Sequence, residues 1–326
     1  MKFRRLFYVT FLALVMIFVL TLQIFAAQYT IKIGHVDGVE SRKSTLSEYF
    51  AKLVEEDLGE GVVEFLFYPA GTLGTLTEQV EGLQVGTHDM TMTMDRVAAF
   101  VPELSVFDLP FLFTTREQVE RVIYGSDVFD RIRKKVEEKG IIILGMTENG
   151  FRSVTNNVKP IRTPEDLKGL KLRTPPNPVR LAMFQAWGAN PAPLSMNELF
   201  SALQQGVFDG QENPLNVTES NNLYEVQKYI SITKHVYNPQ LILMSKILWD
   251  KLPRNVQASL LRAGQLTGDF DRRNGEAQYQ QSYDFLSKHC EINDDVDIDA
   301  FKEASKIVYD EFAYQDLLKE VQEIIK

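Results

Sequence analysis

At 326 residues, 44% apolar and 24% charged, the chain is long enough for about two domains and too apolar for disorder. Its formal net charge of −9 argues against a nucleic-acid partner, which needs Lys and Arg to neutralise phosphates, but leaves room for a local basic pocket. A single cysteine, Cys290, excludes an intramolecular disulfide and a cysteine-rich zinc site.

The chain opens with Lys2-Phe3-Arg4-Arg5, continues through a nearly unbroken apolar run from Leu6 to Leu22, and offers small residues at Ala26-Ala27. This pattern predicts a secretory signal peptide over 1–26, cut after Ala26, and export to the periplasm. The run is also close to the roughly 20 residues that span a bilayer, so an uncleaved anchor is the alternative. No cysteine follows it, which excludes a lipoprotein anchor.

Alternating β-branched residues predict strands over Tyr29–Val36 and Val62–Tyr68, and a short one over Asp89–Met94. Helical spacing marks Ser41–Leu58 and Leu76–Val85 between them, a βα alternation that implies a largely parallel sheet. Helices follow over Arg116–Tyr124 and Val128–Lys139, then a buried strand over Ile141–Met146. Pro164–Leu167 reads as a short helix, Leu170–Arg173 as a strand, and Pro178–Trp187 and Asn197–Gln205 as helices closed by Gly188 and Gly206. Gln240–Ser245 is a strand; 253–289 and 297–325 read as long helices with no strand between them. One pattern, E-x4-L-Q-x-G-x-x-D, occurs twice, from Glu78 to Asp89 and from Glu198 to Asp209. It suggests two α/β lobes of similar construction with a ligand in the cleft between them.

Enzyme signatures are missing: there is no G-x-S-x-G, H-E-x-x-H, Walker loop or G-x-G-x-x-G, and the four histidines lack ligand spacing. Asp295, Asp297 and Asp299 mimic the start of a calcium loop, but Ala300 replaces its glycine and Lys306 its closing Glu. The sequence thus calls for no catalytic residue, no metal and no cofactor.

Three segments concentrate polar chemistry at predicted strand ends: Gly150-Phe151-Arg152, Gly169-Leu170-Lys171-Leu172-Arg173-Thr174-Pro175, and Asp209-Gly210-Gln211-Glu212-Asn213-Pro214. Open α/β sheets bind ligands outside the carboxyl ends of their strands. An Arg there can grip a carboxylate with two parallel N–H donors, and an Asn amide can add a third.

Those segments, with LPFLF (109–113), PEDLKGLKLRTP (164–175), ELFSALQQGVFDGQENP (198–214) and YEVQKYISITKH (224–235), resemble the solute-binding proteins of tripartite ATP-independent periplasmic (TRAP) transporters, the dicarboxylate-binding-protein family. The likeness runs from about Tyr29 to the C-terminus. It implies a two-lobed α/β periplasmic binding protein (type II-like), with a strand hinge and a long C-terminal helix across both lobes. Lobe I would hold 27–149 plus about 239–278, and lobe II 150–238 plus about 279–326. The implied activity is capture of an organic acid by lobe closure and delivery to a membrane permease, without catalysis; a ligand sensor of the same fold is the alternative. Some members dimerise through long C-terminal helices, so a homo-oligomer stays open.

By position, the resemblance implies that Arg173 binds the ligand carboxylate, that Asn213 hydrogen-bonds it, and that Arg152 is a second donor. Arg96, Gln240 and Asn238 fall where other members touch the variable part of the ligand. His35, Thr75, Thr93, Met196 and Tyr237 are further candidates for the pocket wall. Sialate-binding members carry acidic groups near the places of Thr75 and Thr93, and an aromatic residue is common at that of Met196. These departures point to a small mono- or dicarboxylate.

Overall fold

The computed structural model describes residues 27–326; the predicted signal segment 1–26 lies outside them. Among the described residues, no helix is long and apolar enough to cross a membrane.

The first lobe begins as a βαβαβ unit: β1 (Tyr29–Gly34), α1 (Arg42–Leu58), β2 (Val63–Tyr68), α2 (Leu76–Val85) and β3 (Met90–Met92). Ser41 caps α1, and Thr75 and Glu78 form a reciprocal capping box on α2, which ends at Gly86 in the left-handed conformation. Helices α3 (Arg116–Tyr124) and α4 (Val128–Glu138) lead into β4 (Ile141–Asn156). The second lobe contains β5 (Lys171–Thr174), α5 (Pro178–Ala186), β6 (Asn190–Pro193), α6 (Met196–Gln204) and β7 (Gly210–Pro214). After α7 (Leu215–Ser220) and β8 (Tyr229–Ser231), strand β9 (Tyr237–Ser245) returns to the first lobe. Then come α8 (Lys246–Trp249), α9 (Arg254–Leu286), β10 (Glu291–Asn293), α10 (Ile298–Ala304), α11 (Lys306–Asp310) and α12 (Gln315–Ile325).

Hydrogen bonds join the strands in the order β2-β1-β3-β9-β4-β7-β5-β6, with β8 on β4 and β10 on β8. The two lobes repeat one plan. In each, a central strand (β1 or β5) has parallel neighbours on both sides, and the inner neighbour (β3 or β7) pairs antiparallel with the next strand. The repeated sequence pattern falls on matching places. Asp89 accepts from the Lys32 amide at 2.9 Å, and Asp209 accepts from the Lys171 amide at 2.8 Å. Each Asp therefore ties its helix–strand turn to the central strand of its lobe.

Strand β4 connects the lobes. It pairs with β9 up to Phe151 and with β7 and β8 from Arg152 onward. The strand expected over Ile141–Met146 is thus ten residues longer, continuing through a bulge at Glu148–Gly150 where Gly150 takes φ +93°. Arg152 lies inside this strand rather than after it. Likewise Gly210–Pro214 is itself a strand, not the turn after one. The C-terminal expectation is also corrected: a third strand residue set, Glu291–Asn293, extends the second sheet, and 297–325 divides into three helices.

Helix α9 is the spanning element, touching α1, β4 and α7. It lies on β4 closely enough that backbone meets backbone. A Cβ on Gly264 would stand 2.3 Å from the Leu144 carbonyl oxygen, and one on Gly145 would stand 2.3 Å from that of Gly264. Neither chain can yield without leaving its own ladder. Gly264→Val is therefore expected to lower stability by about 3 kcal/mol, the upper range for overpacking, read as a shifted urea midpoint at unchanged slope.

Candidate functional site

A cavity lies where the carboxyl ends of β1, β3 and β5 face each other across β4 and β7. From the second lobe it is lined by Arg152, Arg173, Met196 and Asn213, and from the first by Asp37, Lys43, Thr75, Asp95 and Arg96, with Asn149 of β4 between them. Helices α2 and α6 both begin at its wall, through Thr75 and Met196, so two helix N-termini add positive potential there.

Arg173 is the distinctive group. It lies one residue before the end of β5, in front of Pro175-Pro176, and only 2% of it is exposed. Its Nε donates to the Leu194 carbonyl at 2.8 Å, while Nη1 is buried without a partner. No carboxylate lies within salt-bridge distance among the described residues. Burial without a facing anion pushes this guanidinium down to about 9, still cationic at neutral pH.

Arg152 is held differently. Its Nε and Nη2 grip the Glu212 carboxylate, and Nη2 also donates to the Glu212 carbonyl at 2.7 Å and to Asn213 Oδ1 at 2.9 Å. Only Nη1 is left for a ligand. Asn213 spends one amide hydrogen on Gln211 Oε1 at 2.5 Å and keeps the other. Glu212 also accepts from His235 Nε2 at 3.2 Å and lies 3.7 Å from Arg180 Nη1. Burial alone would raise the Glu212 carboxyl; Arg152 and Arg180 outweigh it and hold it well below the carboxylate range. Arg180 Nη2 in turn bridges Asp95 at 2.8 Å and Asp108 at 2.7 Å, linking the lobes. Both Asp108 oxygens accept N–H donors, from Arg180 and from Asn177 Nδ2.

On the first-lobe side, Arg96 Nη1 donates to the Pro176 carbonyl at 2.9 Å, and its Nε is buried without a partner. Lys43 Nζ stands 3.1 Å from Asp37 Oδ2, both side chains being buried. The first-lobe loop meets α7 so closely that a Cβ on Gly38 would stand 2.2 Å from the Ser220 carbonyl oxygen.

Six of the eleven residues singled out from the sequence thus line the cavity: Arg96, Arg152, Arg173, Asn213, Thr75 and Met196. The Thr75 hydroxyl is already committed to Glu78 as the α2 cap. The other five stand behind the wall. Asn238 and Gln240 are buried and hydrogen-bonded to each other, and Asn238 Nδ2 reaches Asp95 at 3.4 Å. Tyr237 donates to Glu148 at 2.5 Å, within a hinge cluster completed by Arg116, Arg42 and Asp271. His35 pairs with the Ser44 hydroxyl, and burial pushes it down to about 4, so it is neutral. Thr93 is buried with an unpartnered hydroxyl.

Asp37, Lys43, Asp95 and Asn149 were not singled out from the sequence. The signal was present: Asp37 follows β1, and Asp95 follows β3, at the same carboxyl edge that pointed to Arg173.

Comparison with known proteins shows the family to which the chain belongs. The family model described as "Bacterial extracellular solute-binding protein, family 7" matches residues 33–316. The chain is 33% identical over 332 residues to the 2,3-diketo-L-gulonate-binding periplasmic protein YiaO of Escherichia coli, covering 99% of this chain and all of that one. A TRAP periplasmic solute-binding protein from Polaromonas sp. JS666, bound to D-erythronate, superposes with a TM-score of 0.86 at 33% identity, over 90% of this chain and 98% of that one. Another, from Sulfurospirillum deleyianum with bound succinate, gives 0.86 at 32% identity, over 91% and 99%. A family model over most of the chain and relatives of matching length leave one assignment: the chain belongs to the family 7 extracellular solute-binding proteins, the receptors of TRAP transporters.

Proposed function

We propose that this receptor captures a small organic acid by its carboxylate on Arg173, encloses it between the lobes and delivers it to a TRAP permease. The observation that carries the reading is the Arg173 guanidinium, buried at the cavity with no counter-charge. A buried charge without a partner is costly, and a carboxylate ligand supplies the missing partner. Arg96, Asn213 and Nη1 of Arg152 complete the donor set. The moving bodies are 27–149 with about 239–278, and 150–238 with about 279–326, turning about β4 and β9. Closure is favoured only to the extent that the ligand binds the closed form better than the open one. Export to the periplasm through segment 1–26 and binding without turnover belong to the same reading.

The test is a thermal-shift panel on protein refolded to remove co-purified ligand, pairing small carboxylates with their neutral amides. A ligand that binds only the native state raises its melting temperature by mass action. Expected is a shift with an acid and none with its amide; equal shifts would refute the carboxylate anchor.

A further inference from the structure

Behind the cavity wall, ionisable side chains from five elements meet at the β4 bulge. Glu148 accepts from Arg42 Nη2 of α1 at 3.3 Å, from Arg116 Nε of α3 at 2.9 Å and from the Tyr237 hydroxyl of β9 at 2.5 Å. Asp271 of α9 completes the set. Its Oδ1 accepts from Arg42 Nε at 2.6 Å, and its Oδ2 accepts from the backbone amide of Glu148 at 2.7 Å. Glu148, Tyr237 and Asp271 are all buried. Helix α9 makes room for the carboxylate of Glu148 at Gly275, where a Cβ would stand 2.0 Å from Glu148 Oε1.

The next residue belongs to the ligand cavity. Asn149 lines it, and Gly150 follows at φ +93°. The bond from the Glu148 amide to Asp271 therefore fixes the backbone one peptide away from a cavity residue, where β4 changes partners from β9 to β7 and β8. Both oxygens of Asp271 already face N–H donors. A proton on either would set a donor against a donor and break one of the two bonds.

Burial pushes the Asp271 carboxyl up to about 6, against the pull of Arg42. Above that value the ionised form is kept at a cost to the fold, a pattern that clusters at functional positions. The groups facing Asp271 are Arg42 from α1 and Glu148 from β4; Arg116 of α3, Tyr237 of β9 and Glu276 of α9 itself stand one contact further out. Arg42 also lines a groove of about 780 Å³ between α1, α7 and α9, which gives solvent protons a path to the cluster.

Building on the capture reading above, we propose that Asp271 is a positioning residue for ligand binding: its carboxylate sets the β4 bulge that presents Asn149 to the cavity, and its protonation releases the bulge and weakens capture. Acidification then lowers affinity without altering the anchor. Around the cavity, His35 is pushed down to about 4, Arg173 to about 9 and Glu212 below the carboxylate range, so none of the three changes charge in the same window. Asp108 is pushed up by burial, and the Asp271 variant separates its contribution.

The experiment has two arms. The first follows the Glu148 amide resonance against pH in refolded, ligand-free protein carrying isotope-labelled glutamate. It is expected to titrate with a midpoint near 6 and to stay put in Asp271→Asn. In Arg42→Gln the midpoint should rise, because the cation that favours the ionised Asp is gone. The second arm is calorimetry with D-erythronate and L-gulonate, both ionised throughout. Affinity of the parent chain is expected to fall about tenfold from about pH 7.5 to about pH 5, while Asp271→Asn shows the weaker value at both. Melting curves report whether each variant folds. A Glu148 resonance that does not titrate, or that titrates equally in folded Asp271→Asn, overturns the assignment of Asp271. If Asp271→Asn does not fold, an unmoved or lowered midpoint in Arg42→Gln overturns it instead. A titrating resonance with pH-independent affinity overturns the link from bulge to capture. If neither acid binds at either pH, the carboxylate reading fails, and the first arm, read without ligand, decides the role of Asp271 at the bulge by itself.

Discussion

Arg173→Ala is expected to weaken binding of the acid by about 100-fold or more while leaving the ligand-free protein at least as stable as before. The two effects share one cause. In the ligand-free protein the guanidinium is buried, makes one hydrogen bond to Leu194, and faces no anion. Removing it loses that bond, worth about 1 kcal/mol, and relieves a desolvated charge worth several. In the complex the same guanidinium is the anchor, so its loss leaves the carboxylate buried without a fork of donors. Calorimetry reads the first effect, and a urea titration of the ligand-free protein reads the second. Unchanged affinity in a folded variant would remove Arg173 from the site. Arg173→Lys is expected to fall between, since an ammonium keeps the charge but not the planar pair of donors.

Glu212→Gln is the converse case, a large loss of stability. Glu212 is fully buried and answers Arg152 and Arg180 at once, with His235 donating from a third side. An amide of the same shape keeps the packing and removes the charge, leaving two buried cations of the second lobe less compensated. The expected cost is about 3–5 kcal/mol, measured as a lower urea midpoint; a change below about 1 kcal/mol would show the pair to be dispensable. The pH dependence follows the same group. Its folded value is depressed, so its stabilisation is fully present above the ordinary carboxylate range and is lost as pH falls through and below that range. The Gln variant should therefore show a shallower loss of stability in acid than the parent chain.

Much of the fold was legible because its punctuation is local. Thr75 and Gly86 bound α2, and Gly188 and Gly206 close α5 and α6 where the sequence places them. The repeated E-x4-L-Q-x-G-x-x-D pattern reported a real duplication, since Asp89 and Asp209 make the same bond in each lobe. Strand β4 runs ten residues past the apolar stretch Ile141–Met146 that marks it in the sequence, through the polar residues Thr147-Glu148-Asn149-Gly150. Those residues remain extended because β9 supplies a partner ladder on one side of the bulge and β7 and β8 take over beyond it. Such partners are tertiary and leave no local mark. The strand at Glu291–Asn293 is three residues long and exists only by pairing with β8.

The site divides in the same way. Arg173, Asn213 and Arg152 were legible from strand ends and from the family resemblance. Glu212, beside Asn213, was not singled out, although it fixes how much of Arg152 is free. Of the first-lobe half, Arg96 and Thr75 were singled out, but Asp37, Lys43 and Asp95 were not. An Asp and a Lys six residues apart look like solvated surface until β1 and α1 are folded over the cavity and both become buried. Tyr237, Asn238 and Gln240 have the right chemistry for a wall, yet they stand behind it, with the Tyr237 hydroxyl donating to Glu148 and Gln240 Nε2 to Asn238.

The approach of Gly38 to the Ser220 carbonyl has a further consequence. Where the lobes meet there, main chain touches main chain, with no side chain between. In the closure proposed above, a stop of that kind sets how far the lobes travel without reference to the pocket's interior. Pocket residues can then be exchanged to suit one acid or another while the outer silhouette of the shut receptor, the shape available to a membrane partner, stays constant. Recognition of cargo and recognition by the transporter are thereby free to evolve on separate parts of the same chain.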